Sequence, residues 1–143
     1  MRVFLDTSVL IAAFLVDHEH HDASLDAFLA APGEEPFCAA HSLAEVYATV
    51  TRLPGHHRVP PDHAALFIHE MGRHLSAVEL TGRQYEAAIT AAARDGIVGG
   101  AVYDALILQC ARKIRAEKIF TWNLRDFRRL SPDLAHIIIP PGL

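Results

Sequence analysis

The sequence has few cysteines and no long apolar segment. Its two cysteines, Cys38 and Cys110, form no C-x-x-C pair and sit among apolar residues. We therefore expect buried thiols in a reducing cytoplasm and no disulfide framework. The longest uninterrupted apolar run is the eight residues from Val9 to Val16, whereas a helix needs about 20 to span a bilayer. The amino terminus reaches Asp6 after three apolar residues, so we expect neither a secretory signal nor a membrane segment.

Basic residues are almost absent from the first third of the chain. Residues 1–51 contain Arg2 as their only Lys or Arg, against eight Asp and Glu, whereas residues 52–143 contain twelve bases and nine acids. The net charge of −4 argues weakly against a nucleic-acid-binding protein. Between residues 112 and 129, however, seven bases accompany two acids. This asymmetry allows a polyanion-binding face on an acidic protein.

The remaining composition is that of a globular protein. With 143 residues, of which 51% are hydrophobic and 21% charged, the chain fits one domain spanning residues 1–143 and is not intrinsically disordered. Short apolar strands alternate with helices, which predicts an α/β protein with a parallel sheet covered by helices on both faces. The predicted strands are residues 2–5, 37–40, 77–80, 118–122 and 136–139.

Hydroxyl residues mark several predicted helix starts. Thr7 and Ser8 can cap the helix after the first strand, and Ser42 opens the helix that runs to about Arg52. Thr81 and Gln84 have the spacing of a capping box.

Acidic residues follow several of the predicted strands. Asp6 ends the first strand, and Glu45 falls in the first turn of the helix after the second. Asp104 lies near the start of the helix that follows Gly99 and Gly100, and Asn123 and Asp126 follow residues 118–122. Because ligands of open parallel sheets bind at the carboxyl ends of the strands, all these side chains can project into one site.

Each of these residues also has a local structural interpretation. Glu45 can complete a capping box with Ser42, Asp104 can complement a helix dipole, and Asn123 can be an N-cap. Asp6 is the hardest to explain in this way, because a charge at the end of a buried strand is costly.

A carboxylate cluster needs a compensating charge. Two carboxylates about 4 Å apart repel by roughly 4 kcal/mol at an effective dielectric constant of 20. Bound protons or a divalent cation relieve this repulsion, and an all-oxygen ligand set suits Mg²⁺ or Mn²⁺. Such sites commonly bind phosphate through the metal ion.

Four stretches together resemble the PIN-domain ribonucleases, and within them the toxins of VapBC-type toxin–antitoxin pairs. They occur in the family's order and cover nearly the whole chain. The third is quite specific to the toxin branch. The four stretches are Val3-Phe4-Leu5-Asp6-Thr7-Ser8, Ser42-Leu43-Ala44-Glu45-Val46, Gly99-Gly100-Ala101-Val102-Tyr103-Asp104-Ala105-Leu106-Ile107 and Phe120-Thr121-Trp122-Asn123-Leu124-Arg125-Asp126-Phe127.

The resemblance implies a PIN-like three-layer α/β/α sandwich with a central, mostly parallel sheet. It also implies a Mg²⁺- or Mn²⁺-dependent endoribonuclease in which Asp6, Glu45 and Asp104 line the metal site. The fourth acid of the family is less clear, because this chain has Asn123 at that position and Asp126 three residues later. Matching hydroxyl positions give Thr7 and Thr121 supporting roles beside Asn123.

The mechanism implied by the resemblance is hydrolysis of an RNA phosphodiester bond. Hydroxide formed at the metal ion attacks in line and leaves a 5′-phosphate and a 3′-hydroxyl. We expect flanking phosphates of the RNA to contact basic side chains between residues 112 and 129. The resemblance further implies a homodimer and a small cognate antitoxin whose tail covers the site. The basic residues that we expect to contact the flanking phosphates are Arg112, Arg115, Arg125 and Arg128.

Other functions stay open at this level. A phosphatase with Asp6 as nucleophile usually has a second Asp where this chain has Ser8. A PIN nuclease for RNA maturation or single-stranded DNA, or a catalytically silent PIN binding module, would share the motifs. A zinc site at His18, His20 and His21 lacks further ligands at zinc spacing.

Overall fold

The computed structural model describes all 143 residues as strands alternating with helices. The strands are β1 (Arg2–Leu5), β2 (Glu35–Ala39), β3 (Ser76–Val78), β4 (Lys118–Phe120) and β5 (Ile138–Ile139). The helices are α1 (Thr7–Phe14), α2 (His21–Leu29), α3 (Ala40–Val50), α4 (Pro61–His74), α5 (Gly82–Arg94), α6 (Ala101–Lys113) and α7 (Leu124–Leu130). None of these helices has the length and apolar character needed to cross a membrane.

The five strands form one sheet in the order β3-β2-β1-β4-β5, and every neighbouring pair is parallel. The predicted parallel sheet is therefore confirmed. β1 lies at its centre, with Phe4 opposite Phe37 of β2 and Ile119 of β4. A residue that follows the end of β1 is consequently flanked by the ends of two other strands.

Side chains of β1 alternate between two apolar cores, one on each face of the sheet. Val3 and Leu5 pack with residues of α1, α2, α3 and α4, whereas Phe4 packs with residues of α6 and α7. All three are fully buried, which explains why this strand is a continuous apolar run in the sequence. The helices on both faces confirm the predicted three-layer α/β/α arrangement. Both cysteines are buried and free, as expected.

Two predicted helix starts are wrong in detail. Asp6, rather than Thr7 or Ser8, is the N-cap of α1, because its carboxylate accepts the Ser8 N–H. Helix α3 begins at Ala40 and not at Ser42, so Glu45 lies in its second turn and no capping box forms. Ser42 is buried inside the helix and accepts a hydrogen bond from Thr7. By contrast, the capping box of Thr81 and Gln84 is present.

Candidate active site

Asp6 is a buried carboxylate at the carboxyl end of the central strand. Its side chain is 2% exposed, and its Oδ2 accepts hydrogen bonds from Ser8 Oγ (2.8 Å), Ser8 N (3.3 Å) and Thr121 Oγ1 (2.8 Å). All three of these bonds reach Oδ2. Burial raises the pKa of Asp6, and the bonds from Ser8 and Thr121 oppose that increase by stabilising the charged form.

Two hydroxyl groups connect Asp6 to the turn after β4. Ser8 Oγ accepts the Trp122 N–H at 3.0 Å, and Thr121 Oγ1 accepts the Asn123 N–H at 3.0 Å, while each hydroxyl donates to Asp6. Each hydroxyl thereby has a donor and an acceptor, which fixes its orientation. Sequence reasoning assigned Thr121 a supporting role but missed Ser8, which looked like a helix cap only.

Glu45 approaches the same edge of the sheet from α3. Thr7 Oγ1 donates to Ser42 Oγ at 2.7 Å and lies 3.4 Å from Glu45 Oε1, and the single hydroxyl proton serves one or both acceptors. His41, one turn earlier, places Nε2 3.5 Å from the same Glu45 oxygen. Burial raises the pKa of Glu45, as does the charge of Asp6, whereas His41 and the Thr7 hydroxyl lower it.

Asp104 reaches the site from the first turn of α6. Burial raises its pKa to about 6, and the charges of Asp6, Glu45 and Asp126 add to the increase in that order. The residues predicted from four separate stretches are therefore close enough to act on one another electrostatically. The ion pairs of the chain include no Lys or Arg with Asp6, Glu45 or Asp104, so the negative charge of the site is not neutralised by a neighbouring base.

The two candidates for the fourth site residue differ in their surroundings. Asp126 is 54% exposed and pairs with Arg129 at 3.5 Å, yet its charge still acts on Asp104. Asn123 is exposed and occupies the N-cap position of α7, but its side chain makes no capping hydrogen bond. The N-cap role expected of that side chain is therefore wrong, although its N–H is held by Thr121.

The predicted RNA-binding arginines do not gather around the acids. Arg112 lies eight residues after Asp104 on α6, about 12 Å along the helix axis, and binds Asp133 through both terminal nitrogens. Arg115 follows α6, and its carbonyl accepts a hydrogen bond from Arg2 at the opposite end of β1 from Asp6. Arg128 donates twice to the Ile138 carbonyl. Arg125, in the first turn of α7, is exposed and nearest in sequence to the site.

The donor set has the chemistry of a hard-cation site, although the acids are not arranged as a finished cage. No three His, Cys, Asp or Glu side chains stand close enough together to hold a metal ion as they are placed. After burial, neighbouring carboxylates contribute to the raised pKa values of Glu45 and Asp104. A cation shared among these oxygens would relieve that repulsion. Carboxylate oxygens favour Mg²⁺ or Mn²⁺ over softer metals. The residues therefore fit such an ion, provided that Glu45 and Asp104 turn towards Asp6.

Fold and site together define an α/β protein with a carboxylate centre at the carboxyl edge of an all-parallel sheet, and comparison with known proteins narrows this class. The family model for the PIN domain matches residues 3–131. The chain is 35% identical over 122 residues to ribonuclease VapC40 of Mycobacterium tuberculosis, covering 84% of this chain and 85% of that protein. It is 38% identical over 113 residues to ribonuclease VapC27 of the same species, covering 79% of each.

Two solved structures share the fold at low sequence identity. VapC20 of M. tuberculosis, described as a toxin that cleaves the sarcin-ricin loop, superposes with a TM-score of 0.72 at 19% identity and covers 90% of this chain and 95% of its own. VapBC2 of Rickettsia felis, bound to a promoter DNA fragment, gives a TM-score of 0.69 at 18% identity, with 99% and 100% coverage. The chain therefore belongs to the PIN-domain family, in its VapC ribonuclease branch.

The raised pKa of Asp104 predicts a stability profile for the metal-free protein. Its carboxyl has a pKa of about 6 when folded and a pKa near the ordinary Asp value of 3.8 when unfolded, so the unfolded state loses this proton first as the pH rises. The contribution of Asp104 is therefore full below about pH 4 and is lost between about pH 4 and 6. Two pKa units correspond to about 3 kcal/mol, which solvent screening of this half-exposed group reduces to about 1 kcal/mol.

Urea unfolding in chelator between pH 4 and 7.5 tests this profile. Asp104→Asn should have a smaller decline in unfolding free energy than the unchanged protein. Asp133→Asn is the control, because Arg112 lowers the pKa of Asp133 and that group cannot cause the decline. Equal slopes in Asp104→Asn and the unchanged protein would contradict the assignment.

A second prediction separates Asp126 from Asn123. Asp126 alone adds a fourth negative charge, so Asp126→Asn should raise the Mg²⁺ concentration needed for half-maximal thermal stabilisation and cleavage more than Asn123→Ala does. We expect Asn123→Ala chiefly to lower the rate at saturating Mg²⁺. Because Asn123 makes no side-chain cap, its stability cost should fall below the roughly 1 kcal/mol of a lost N-cap.

The matched control is Arg129→Gln, which removes the partner of Asp126 and leaves its carboxylate in place. This variant should keep or lower the Mg²⁺ requirement. If Asp126→Asn changes neither the requirement nor the rate, Asp126 is a helix-surface charge and the site has three acids.

Proposed function

We propose that this chain is a Mg²⁺- or Mn²⁺-dependent endoribonuclease that acts in the cytoplasm as the toxin of a toxin–antitoxin pair. The observation that carries the proposal is the electrostatic coupling of Asp6, Glu45 and Asp104, which come from three separate elements. Its support is the ribonuclease character of the two mycobacterial relatives, each matched over more than three quarters of its length.

Asp6, Glu45 and Asp104 would hold the divalent cation, with Asp126 as the fourth acid. When bound, such an ion supplies a water of lowered pKa and neutralises charge on phosphoryl oxygens. Ser8 and Thr121 keep Asp6 oriented, and Thr7 holds Glu45 beside it. Supported carboxylates of this kind lose little entropy when a ligand binds, which favours both affinity and a defined geometry.

RNA is a strong polyanion, so contacts away from the acids have to contribute to its binding. Among the predicted bases, Arg125 is exposed close to the site, and we propose that it contacts a phosphate next to the cleaved bond. Arg112 and Arg128 already bind Asp133 and the Ile138 carbonyl. Contacts with RNA through Arg112, Arg115 or Arg128 would therefore involve phosphates further along the strand.

The test of catalysis is cleavage of single-stranded RNA with and without divalent metal. Asp6→Asn and Asp104→Asn keep the side-chain shape but remove the charge, and we expect each to slow cleavage by a factor of 100 or more, on the order of 3 kcal/mol in the barrier. Chelator should stop the reaction, and Mg²⁺ or Mn²⁺ should restore it. Circular dichroism should show that both variants remain folded.

Matched DNA and RNA strands distinguish this proposal from its competitors. Preferential cleavage of DNA would assign the site to a single-stranded DNA nuclease. Absence of cleavage of either strand under all metal conditions would leave a catalytically silent PIN module. Turnover at the unchanged rate in Asp6→Asn or Asp104→Asn would rule out the assigned residues.

The proposed partners are a second copy of this chain and a small antitoxin whose tail covers the acids. The supporting observation is that Asp6, Glu45 and Asp104 form no ion pair with a Lys or Arg of this chain, so a basic side chain from an antitoxin could pair with one of them. The VapBC2 complex from R. felis is a structural neighbour. We expect light scattering to give a homodimer and expression alone to arrest growth, with rescue by the product of a neighbouring small reading frame. A monomer that is harmless when expressed alone would contradict this.

A further inference from the structure

Two aromatic side chains stack beside the acids, and one of them, Tyr103, has no part in the contacts described so far. The rings of His41 and Tyr103 lie 5.3 Å apart between centroids and 13° from parallel. They join the first turns of α3 and α6, and those same two helices carry Glu45 and Asp104. The pair therefore lies next to the site, since His41 also contacts Glu45.

Tyr103 is unusually exposed for a ring in a packed contact. Its side chain remains 51% exposed although His41 covers one of its faces. Much of Tyr103 therefore remains accessible beyond its contact with His41. Single-stranded nucleic-acid-binding proteins use accessible aromatic rings to stack unpaired bases.

A second aromatic pair at the same edge of the sheet, His20 and Trp122, is held by contacts within the protein. Trp122 stacks on His20 with centroids 3.7 Å apart and planes 9° from parallel. Its Nε1 donates to Ser24 Oγ at 2.8 Å, and its ring packs against the core on the α1 side of the sheet. Trp122 is thus committed to structure, whereas Tyr103 is not.

Charge also favours an RNA base as the group that contacts the exposed part of the Tyr103 ring. Around Asp6, Glu45 and Asp104 the only ion-pair partner is His41, so the protein itself supplies little attraction for phosphates there. Stacking does not depend on charge and holds a base of any sequence through its π-face.

We propose that Tyr103, supported by His41, is a base-binding subsite that stacks an unpaired RNA base next to the cleaved phosphodiester. This inference rests on the proposed ribonuclease function and adds the contact that positions the substrate strand. Tyr103 is a substrate-binding residue, and the acids remain the cation-binding groups.

The test couples a change in the protein to a change in the RNA. A single-stranded RNA oligonucleotide of mixed sequence is cut with the unchanged protein to map the site, and abasic nucleotides then replace each flanking position in turn. At one position, loss of the base should reduce kcat/KM about ten-fold for the unchanged protein and for Tyr103→Phe. Tyr103→Leu should cut the intact RNA about ten-fold more slowly, with nearly no further loss on the abasic RNA.

Tyr85→Leu is the matched control. Tyr85 is also a partly exposed tyrosine in a first helical turn, that of α5, which Gln84 joins to Lys113 at the far end of α6 from Asp104. It should keep the full ten-fold preference for the intact base. The Mg²⁺ requirement should be equal in Tyr103→Leu and Tyr103→Phe, since stacking on RNA does not involve the cation. Only Tyr103→Leu should have a lower melting temperature, because it loses the stack with His41.

The outcomes separate this inference from the function on which it rests. If the unchanged protein cuts RNA but Tyr103→Leu keeps the full effect of an abasic nucleotide at every position, the subsite is overturned and the ribonuclease stands. A raised Mg²⁺ requirement in Tyr103→Leu, with the abasic effect intact, would instead make the ring a positioning group for Glu45 through His41. Failure of the unchanged protein to cut any RNA would overturn both proposals.

Discussion

The constraint on which the site depends is the burial of one carboxylate at the end of the central strand. An isolated buried carboxylate costs several kcal/mol, and here that cost is offset by hydrogen bonds from two hydroxyls and one backbone N–H to the same oxygen of Asp6. Those bonds do more than satisfy the charge. They cap α1 and, through Ser8 and Thr121, fix the turn that follows β4.

The other two acids are held less tightly than Asp6, and this difference suits the proposed cation site. Glu45 and Asp104 are half-buried. Glu45 lies in the second turn of α3, one turn from the sheet edge, and Asp104 lies in the first turn of α6. The charge of Asp6 raises the pKa of both carboxyl groups, but the three side chains are not placed closely enough to bind one metal ion together. In the proposed site Asp6 would be the fixed ligand of a cation, and Glu45 and Asp104 would adjust to it without a change in the packed core. The repulsion among the three acids is a cost that a bound divalent ion removes.

The sequence predicted the sheet well because its strands are buried on both faces. Such strands are short, continuous apolar runs, and the ends of β1 were found to the residue. Helix starts were harder, because Ser, Thr and Asp all cap helices and also support active sites. Ser42 and Ser8 were interpreted as caps, but one accepts a hydrogen bond from Thr7 and the other donates to Asp6. Only the three-dimensional neighbours of a hydroxyl distinguish the two uses. Tyr103 lies within the third stretch that resembles the family, but nothing in the sequence indicated its contact with His41, since that contact joins helices α3 and α6, which are distant along the chain.

Charge along the chain is a weaker guide to the RNA surface than the cluster of arginines suggested. Of the four arginines predicted to bind RNA, Arg112 donates hydrogen bonds to Asp133, and Arg128 donates to the Ile138 carbonyl. A guanidinium that binds a protein carboxylate or carbonyl has fewer donors left for a phosphate. Arg125 keeps its exposed position in the first turn of α7, on the segment that Thr121 ties to Asp6. The proposed contacts with RNA accordingly rely on a few groups and not on net charge: a cation among the acids, Arg125, and the ring of Tyr103, whose stacking does not depend on charge.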